Sequence, residues 1–228
     1  MSKSIKTYGK PHSNESTCYC NRLKNGKKCL LCQGQENGED FFRINGLAAK
    51  KLSIVITGTN GKSTITNTLS SILANTFPGV GGSSSTGLYE GGKQISNIEH
   101  IASQHYIYLL NKKNTEIIIC EQPLTGIWAF GLPIEHDWGI ITNITRDHTE
   151  MGYVREGMED IFRLKSTIAA MAKKGVITSI DYPLTRKIIK NFKQKNFFLF
   201  GLNSKWVRYY RELGYQVITV KKDKIFVF

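Results

Sequence analysis

Short apolar runs alternate with amphipathic stretches from about residue 52 to the end of the chain. Runs of five or six residues rich in β-branched and aromatic side chains predict buried strands, and they lie at 53–57, 116–120, 138–142, 175–180, 196–200 and 215–220. Between them, apolar residues recur with a helical period, which predicts helices at 63–75, 99–112, 158–173, 184–193 and 205–213. This alternation predicts an α/β fold: a mostly parallel sheet with helices on both faces.

Three further segments differ from this pattern. Residues 221–228 predict a final hairpin partner with a turn near Lys222 and Asp223, whereas the Gly/Ser-rich stretch 79–92 predicts a loop. Residues 1–40 are polar and poor in branched aliphatic side chains.

The apolar runs are too short to cross a bilayer, and the N-terminus lacks the apolar stretch of a signal peptide. We therefore expect a cytosolic protein with reduced thiols.

The positive charge is concentrated towards the two ends of the chain. Of 31 Lys and Arg against 18 Asp and Glu, residues 1–51 hold 10 against 4 and residues 181–228 hold 11 against 3. Residues 52–180 are nearly neutral, with 10 against 11. Basic flanks attract nucleic acid or another polyanion, but they are also typical of a solvated, soluble surface. Charge alone does not decide between these two interpretations.

A phosphate-binding motif lies between the first predicted strand and helix. Residues 56–64 have the sequence ITGTNGKST, where backbone N–H groups and the positive end of the helix can meet one anion. Gly58 and Gly61 allow close backbone approach, Lys62 neutralises the β- and γ-phosphates, and the Ser63 hydroxyl can bind Mg²⁺. The general motif has a glycine where this chain has Ile56. The context nevertheless predicts a site for ATP or a close relative with Mg²⁺.

The loop and three later blocks together resemble the Mur ligase superfamily, and most closely its cyanophycin synthetase branch. Residues 83–92 (SSSTGLYEGG) are similar to the threonine-rich loop and hairpin of that branch. Glu121 ends a predicted strand, as in the acidic-strand block of the branch, and residues 139–148 (GIITNITRDH) match the family's Asn-Ile-x-x-Asp-His signature. Lys165 falls where these ligases place a lysine that is commonly carbamoylated. The resemblance covers about residues 52–228.

The resemblance implies a P-loop Mur ligase central domain that uses ATP to convert a carboxylate into an acyl phosphate, which an amine attacks to give an amide. The implied catalytic residues are Lys62, Glu121, His148 and Lys165. The implied nucleotide-binding residues are Gly58, Thr59, Asn60, Gly61, Lys62, Ser63, Thr64 and Asn143. One Mg²⁺ would bind Ser63 and Glu121, a second would bind Glu121 and His148, and Ser85 is a weaker candidate for a metal or phosphate contact.

Each of these side chains also has a structural alternative. Glu121 could cap a helix that begins near Pro123, His148 could stand at a helix start, and Lys165 could be a solvated helix lysine. Asp147 is open between a partner of the site and a structural cap. An ammonium group at Lys165 would repel a nearby Mg²⁺, whereas a carbamoylated, anionic Lys165 could bind or orient it.

The chain also departs from the resembled family. The cyanophycin synthetase block has Arg-Gly-Gly after its glutamate, whereas this chain has QPLTG at 122–126, so the substrates stay open. We expect residues 52–228 to form the ATP-binding domain and the C-terminal ligase domain to be absent. A minimal ligase, one subunit of a split enzyme and an ATP-binding remnant are all compatible with this organisation.

Four cysteines are clustered in the basic segment 1–51. They form a C-x-C pair and a C-x-x-C pair, separated by a turn-rich basic excursion, at Cys18, Cys20, Cys29 and Cys32. Four thiolates at such spacing in a reducing compartment predict a structural Zn²⁺ knuckle, with an iron–sulfur cluster as the alternative. Cys120, on a predicted strand, is expected in the core. The fold prediction therefore adds a small metal-binding appendage with four cysteine ligands before the α/β domain.

Two functions from different classes follow from these observations. The first is an ATP-dependent ligase that joins an amino-acid-like carboxylate and an amine, alone or with a partner subunit that supplies the missing domain. The second is an ATP-responsive, zinc-containing regulatory module whose basic ends dock on nucleic acid or another polyanion. Turnover that depends on an amine acceptor distinguishes the ligase from the regulatory module.

Overall fold

The computed structural model describes residues 51–97, 106, 108–110, 112–130, 136–146 and 157–228. Its ten strands are β1 Leu52–Thr57, β2 Val80–Ser84, β3 Gly87–Glu90, β4 Lys93–Ser96, β5 Ile117–Glu121, β6 His136–Ile141, β7 Ala172–Ser179, β8 Phe197–Phe200, β9 Gln216–Lys221 and β10 Lys224–Val227. Five helices accompany them: α1 Lys62–Ala74, α2 Leu124–Phe130, α3 Met158–Met171, α4 Pro183–Asn191 and α5 Ser204–Glu212. Residues 106 and 108–110 are also helical.

All ten strands belong to one sheet, in the order β10-β9-β8-β7-β6-β1-β5-β2-β3-β4. The seven strands from β9 to β2 in this order are mutually parallel, and the antiparallel strands β10, β3 and β4 extend the two edges. The chain leaves β1 towards β2 on one side and returns through β5 to β6 on the other. The carboxyl ends of β1, β5 and β6 therefore meet where the winding direction reverses, which is where open α/β sheets bind ligands.

Helices cover the two faces of the sheet unequally. Helix α1 packs through Ile65, Leu69 and Leu73 on a cluster from β1, β5 and β6. The opposite face carries the largest core cluster, to which α3, α4 and α5 contribute buried aliphatic and aromatic side chains such as Ile168, Ile188 and Val207. The predicted α/β class with a mostly parallel sheet is confirmed.

The predicted elements lie close to the observed ones. Each of the six predicted strands corresponds to an observed strand, with bounds that differ by up to three residues. The predicted helix 158–173 is two residues too long, because β7 begins at Ala172 with no intervening loop. The final hairpin is confirmed: Lys222 and Asp223 both have positive φ, as a two-residue turn between β9 and β10 requires.

The prediction of a loop at 79–92 is wrong. This stretch forms β2 and β3, and β2 is a fully buried interior strand. A Cβ on Gly81 would lie 2.5 Å from Leu109 Cδ2, and a Cβ on Gly82 would lie 2.4 Å from Ser70 Oγ. The glycines therefore serve close packing of helices against both faces of β2 rather than chain flexibility.

The predicted Zn²⁺ knuckle at Cys18, Cys20, Cys29 and Cys32 lies outside the described residues, as does the rest of the basic segment up to residue 50. Within the described part of the chain, no group of three or more His, Cys, Asp or Glu side chains is placed to hold a metal ion. None of the helices in that part has both the length and the apolar character needed to cross a membrane.

Candidate functional site

The predicted phosphate loop spans residues 58–61, between β1 and α1. Gly58 has φ +152° and Gly61 has φ +84°, conformations that favour glycine. A Cβ on Gly58 would lie 1.8 Å from Thr142 Oγ1, so the loop passes directly against the residues that follow β6. Gly61 caps α1 in the left-handed conformation. The motif has thus formed the tight strand-to-helix turn that the sequence predicts.

Hydrogen bonds from the segment after β6 fix the shape of this loop. Asn60 N donates to Asn143 Oδ1 at 3.1 Å, and Asn143 Nδ2 donates back to Asn60 O at 3.2 Å. Thr59 N donates to Asn143 O at 3.0 Å. Thr142 Oγ1 also donates to Asn60 O, at 2.7 Å. The amide of Asn143, predicted to bind nucleotide, therefore holds the loop in this structure.

The N-terminus of α1 presents backbone donors at the same place. Among the described residues, no side chain caps this end, and its first turn contains no acidic residue. The first helical hydrogen bond runs from Ile65 N to Gly61 O, so the preceding N–H groups have no intrahelical acceptor. Lys62 Nζ donates to Thr59 O at 3.0 Å and lies 4.0 Å from Glu121 Oε1. These donors and the helix dipole favour an anion here.

Glu121 lies at the carboxyl end of β5 and points at the start of α1. Its Oε2 accepts hydrogen bonds from Ser63 Oγ at 2.7 Å and from Ser85 N at 3.0 Å. Ser63 Oγ and Ser85 Oγ are 2.8 Å apart, so three side-chain oxygen groups from three elements converge. The Glu121 carboxylate is thus engaged with Ser63 and Ser85, rather than with the start of α2 at Leu124 as in the capping alternative.

Lys165 reaches the phosphate loop from α3. Its side chain is fully buried, with 0% exposure, which excludes the alternative of a solvated helix lysine. Its Nζ lies 3.2 Å from Thr59 Oγ1. Thr59 Oγ1 in turn accepts from Thr145 N at 3.1 Å and approaches Thr145 O at 3.2 Å. The structure thus brings Lys62, Ser63, Glu121, Asn143 and Lys165 to one end of the sheet.

Other candidates are placed less completely. His148 and Asp147 lie outside the described residues, so the predicted second metal ligand stays a prediction. Thr64 is exposed on the first turn of α1. Cys120, predicted in the core, is fully buried, and burial raises the pKa of its thiol to about 12. Its side chain lies on the other face of β5 from Glu121, in contact with the cluster around Leu109.

Two threonines of the site were not predicted from the sequence. Thr142 and Thr145 flank Asn143 and hold the backbone and the Thr59 side chain of the phosphate loop. The available signal was the position of three polar residues just after a buried strand, at the edge where parallel strands end together. That signal gives the neighbourhood but not the partners, which depend on the sheet order.

Comparisons with known proteins agree with this geometry. The Mur ligase middle domain matches residues 56–226. A cyanophycin synthetase from Geminocystis herdmanii is 29% identical over 145 residues, which are 62% of this chain and 16% of the relative. A second, from Synechocystis, is 27% identical over 159 residues, or 68% and 18% of the two chains. The chain thus spans less than a fifth of the length of these relatives.

Solved structures show the same fold at low sequence identity. A UDP-N-acetylmuramoyl-L-alanyl-D-glutamate–2,6-diaminopimelate ligase superposes with a TM-score of 0.63 and 18% identity, over 90% of this chain and 45% of the other. A folylpolyglutamate synthase/dihydrofolate synthase from Yersinia pestis, complexed with AMPPNP and Mn, has a TM-score of 0.55 and 18% identity, over 92% and 54% of the chains. Because the family match spans 171 of 228 residues, the chain belongs to the Mur ligase middle-domain family and contains a Mur ligase-like ATP-dependent ligase domain.

Proposed function

We propose that this domain uses ATP and Mg²⁺ to activate a carboxylate as an acyl phosphate, which an amine then converts into an amide. The observation that carries the proposal is the convergence of Ser63, Ser85 and Glu121 oxygens at the N-terminus of α1. Anion-binding donors and metal-binding oxygens are thereby adjacent, and transfer of a γ-phosphoryl group needs both. The amino-acid-like nature of the two substrates is part of this proposal.

The phosphate groups of ATP are proposed to bind over residues 58–64. Backbone N–H groups at the start of α1 and the Lys62 ammonium would meet the phosphate charge. Lys62 now donates to Thr59 O, within the loop, and lies near Glu121. It is thus close to where the transferred phosphoryl group would develop negative charge, and it would stabilise that charge.

The donor set at this site fits Mg²⁺. Magnesium prefers oxygen ligands and retains several waters, so few protein ligands are needed. Ser63 Oγ and a carboxylate oxygen of Glu121 are within 2.7 Å of each other and come from α1 and β5, two elements with buried packing. These two would hold one ion, which when bound neutralises phosphate charge and polarises the γ-phosphoryl group. Glu121 with His148 would hold a second.

Lys165 is proposed to act in its carbamoylated form. Its buried amine stands beside Thr59 in the phosphate loop, where a cation would compete with metal ions for the same anions. Addition of CO₂ to the neutral amine, with loss of a proton, would give an anionic carbamate. That group could orient the second ion. Detection of the added mass on the peptide containing Lys165, and its dependence on bicarbonate, test this step.

The reaction balances without a further reactant. A carboxylate oxygen attacks the γ-phosphorus and ADP leaves; the amine nitrogen then attacks the acyl carbon, phosphate leaves and the nitrogen loses a proton. The chain spans less than a fifth of the cyanophycin synthetases it matches. We therefore propose that the two substrates are held jointly with further protein, in a partner subunit or domain. A cytosolic location is part of the same proposal.

The test is an ATPase screen of the full chain against amino acids and peptides, alone and with candidate partner subunits. We expect release of ADP and phosphate that depends on the acceptor. Lys62→Ala and Glu121→Gln should each abolish turnover, whereas Glu159→Gln should not, because Glu159 is exposed and paired with Lys187 on the surface. Unchanged turnover in either of the first two variants would contradict the proposed roles.

A second candidate function is a regulatory module that binds nucleotide and docks on a polyanion. It is favoured by eight exposed basic side chains on α4, in the turn after α4, on α5 and on the final hairpin, namely Lys190, Lys193, Lys205, Arg208, Arg211, Lys221, Lys222 and Lys224. It predicts ATP binding without acceptor-dependent turnover, and nucleic-acid binding that weakens steeply with salt. Absent or salt-independent nucleic-acid binding would remove it.

A further inference from the structure

One half of one face of the sheet bears apolar side chains that no described helix covers. Helix α1 lies on this face and packs against β1, β5 and β2. The described helices that contact β6, β7 and β9, namely α3, α4 and α5, pack on the opposite face. Side chains alternate between the two faces of a strand. On β6 to β10, every second side chain therefore points away from α3, α4 and α5.

Strand register identifies the members of this row. Ile177 pairs with Phe198, and Phe200 pairs with Ile218, so these side chains share one face. The antiparallel pairs Ile218 with Val227 and Val220 with Ile225 continue the row to the edge of the sheet. With Trp138, which contacts Phe198 edge to face, eight residues form what we call the open half-face: Trp138, Ile177, Phe198, Phe200, Ile218, Val220, Ile225 and Val227.

Exposure increases along the open half-face towards its edge. Trp138, Ile177, Phe198 and Phe200 are half-buried, whereas the side chains of β9 and β10 are largely exposed, up to 73% for Ile225. Parallel strands are normally buried on both faces, and a contiguous apolar patch of this kind marks a contact surface. Gln216, which pairs with Phe198, adds one uncharged polar side chain to this face. The eight residues of the open half-face are all apolar, so the occupant is expected to be mostly apolar.

The sequence before β1 contains a matching apolar segment. Residues 1–50 lie outside the described part and lead into Lys51, next to β1, the neighbour of β6. Their densest apolar cluster is 41–49 (FFRINGLAA), in which six of nine residues are apolar. The span from β1 to β10 is five strand spacings, about 24 Å, and ten residues can extend to about 33 Å. The cluster is thus within reach.

We propose that residues 41–50 pack on the open half-face and form the layer that completes the second face of the sheet. The proposal unites an uncovered apolar surface, a mostly apolar occupant and a chain connection of sufficient length. It makes the N-terminal segment part of the domain and brings the cysteine-containing stretch before it close to β8, β9 and β10. It does not depend on the proposed ligase reaction.

Photo-crosslinking in the full chain tests the proposal. The photoreactive residue p-benzoylphenylalanine replaces Val227 in one sample and Leu202 in the other, and both native side chains are 70% exposed. Leu202 follows β8 in a connection outside the open half-face. With the probe at position 227, we expect an adduct to residues 41–50 within one chain, identified by peptide mapping. With the probe at position 202, we expect no such adduct.

A second pair of variants distinguishes packing from chance proximity. Leu47→Asp places a charge in the apolar cluster and should abolish the adduct from position 227, whereas Tyr8→Asp, in the polar part of the segment, should leave it. The proposal is overturned by an adduct of twice the chain mass, which would indicate a second copy. It is equally overturned by an adduct to residues 147–156, by no adduct, or by one insensitive to Leu47→Asp.

Discussion

The position of the Glu121 carboxylate could be predicted from the sequence, but its hydrogen-bond donors could not. An acidic residue at the end of an apolar run predicts a carboxylate at the edge of a sheet, and the resemblance implies a metal ligand. The donors that hold it, Ser63 Oγ and Ser85 N, come from α1 and from the β2–β3 turn. From the sequence, Ser85 is only a weaker candidate for a metal or phosphate contact. Its contact with Glu121 follows from β2 pairing with β5.

Asp137 is a second carboxylate of the sheet, half-buried at the opposite, amino-terminal edge. Its Oδ2 accepts from Ser53 N at 3.0 Å, and its Oδ1 lies 3.2 Å from Lys174 Nζ, so one side chain links β1, β6 and β7. Burial opposes its ionisation, but the hydrogen bonds from Ser53 and Lys174 outweigh burial and hold the pKa of Asp137 below its usual range.

We predict that Asp137→Asn lowers the unfolding free energy at pH 7 by about 1 kcal/mol. Because the folded-state pKa is depressed, the stabilisation by Asp137 is fully present above the unfolded pKa, near 3.9, and is lost as pH falls through the folded value. The difference between the two proteins should therefore shrink below about pH 4. Urea denaturation between pH 7 and pH 3 measures it, with Asp223→Asn, in the exposed turn, as control. A difference independent of pH would contradict the prediction.

At the scale of elements, the hydrophobic pattern predicted the strands that carry apolar side chains. It missed β2, a strand in which glycines allow close packing. Runs such as 117–120 (IIIC) are apolar because a parallel interior strand is buried on both faces. Val80–Ser84 is equally buried but consists of Val, Gly and Ser, so it carries no apolar run. Its packing partners are Ser70, in the helix before it, and Leu109, in a helical segment after it. Such a strand can be inferred from the structure but not from its own composition.

Gly82 permits a test of this packing. A Cβ there would lie 2.4 Å from Ser70 Oγ and 3.1 Å from Ser70 Cβ. We therefore expect Gly82→Ala to destabilise the protein by about 1–3 kcal/mol through overpacking between β2 and α1. In the double variant with Ser70→Ala, the Oγ contact is removed and part of the loss should be recovered. Chemical denaturation of the four proteins of this double-mutant cycle measures the coupling, and strictly additive losses would refute the explanation.

At the scale of the whole molecule, the site depends on the strand order more than on any single motif. The phosphate loop follows β1, Glu121 ends β5, and residues 142–145, which hydrogen-bond the loop, follow β6. The site is therefore formed at the ends of three neighbouring strands. The phosphate motif was predictable from residues 56–64 alone. The hydrogen bonds from residues 142–145 to the loop were not predictable, because local sequence does not reveal that β1 lies between β5 and β6.

This arrangement couples ligand binding to the stability of the entire sheet. The phosphate loop is attached to β1, near the centre of ten hydrogen-bonded strands, so the described domain is expected to unfold in one transition. Mg²⁺ and ATP at one hundred times the dissociation constant should raise the unfolding free energy by about 2.7 kcal/mol. Urea denaturation with and without the nucleotide measures the shift. Lys62→Ala should abolish it, whereas Lys190→Ala, on the exposed end of α4, should preserve it. Two separate transitions, with only one responding to nucleotide, would show that the sheet does not act as one unit.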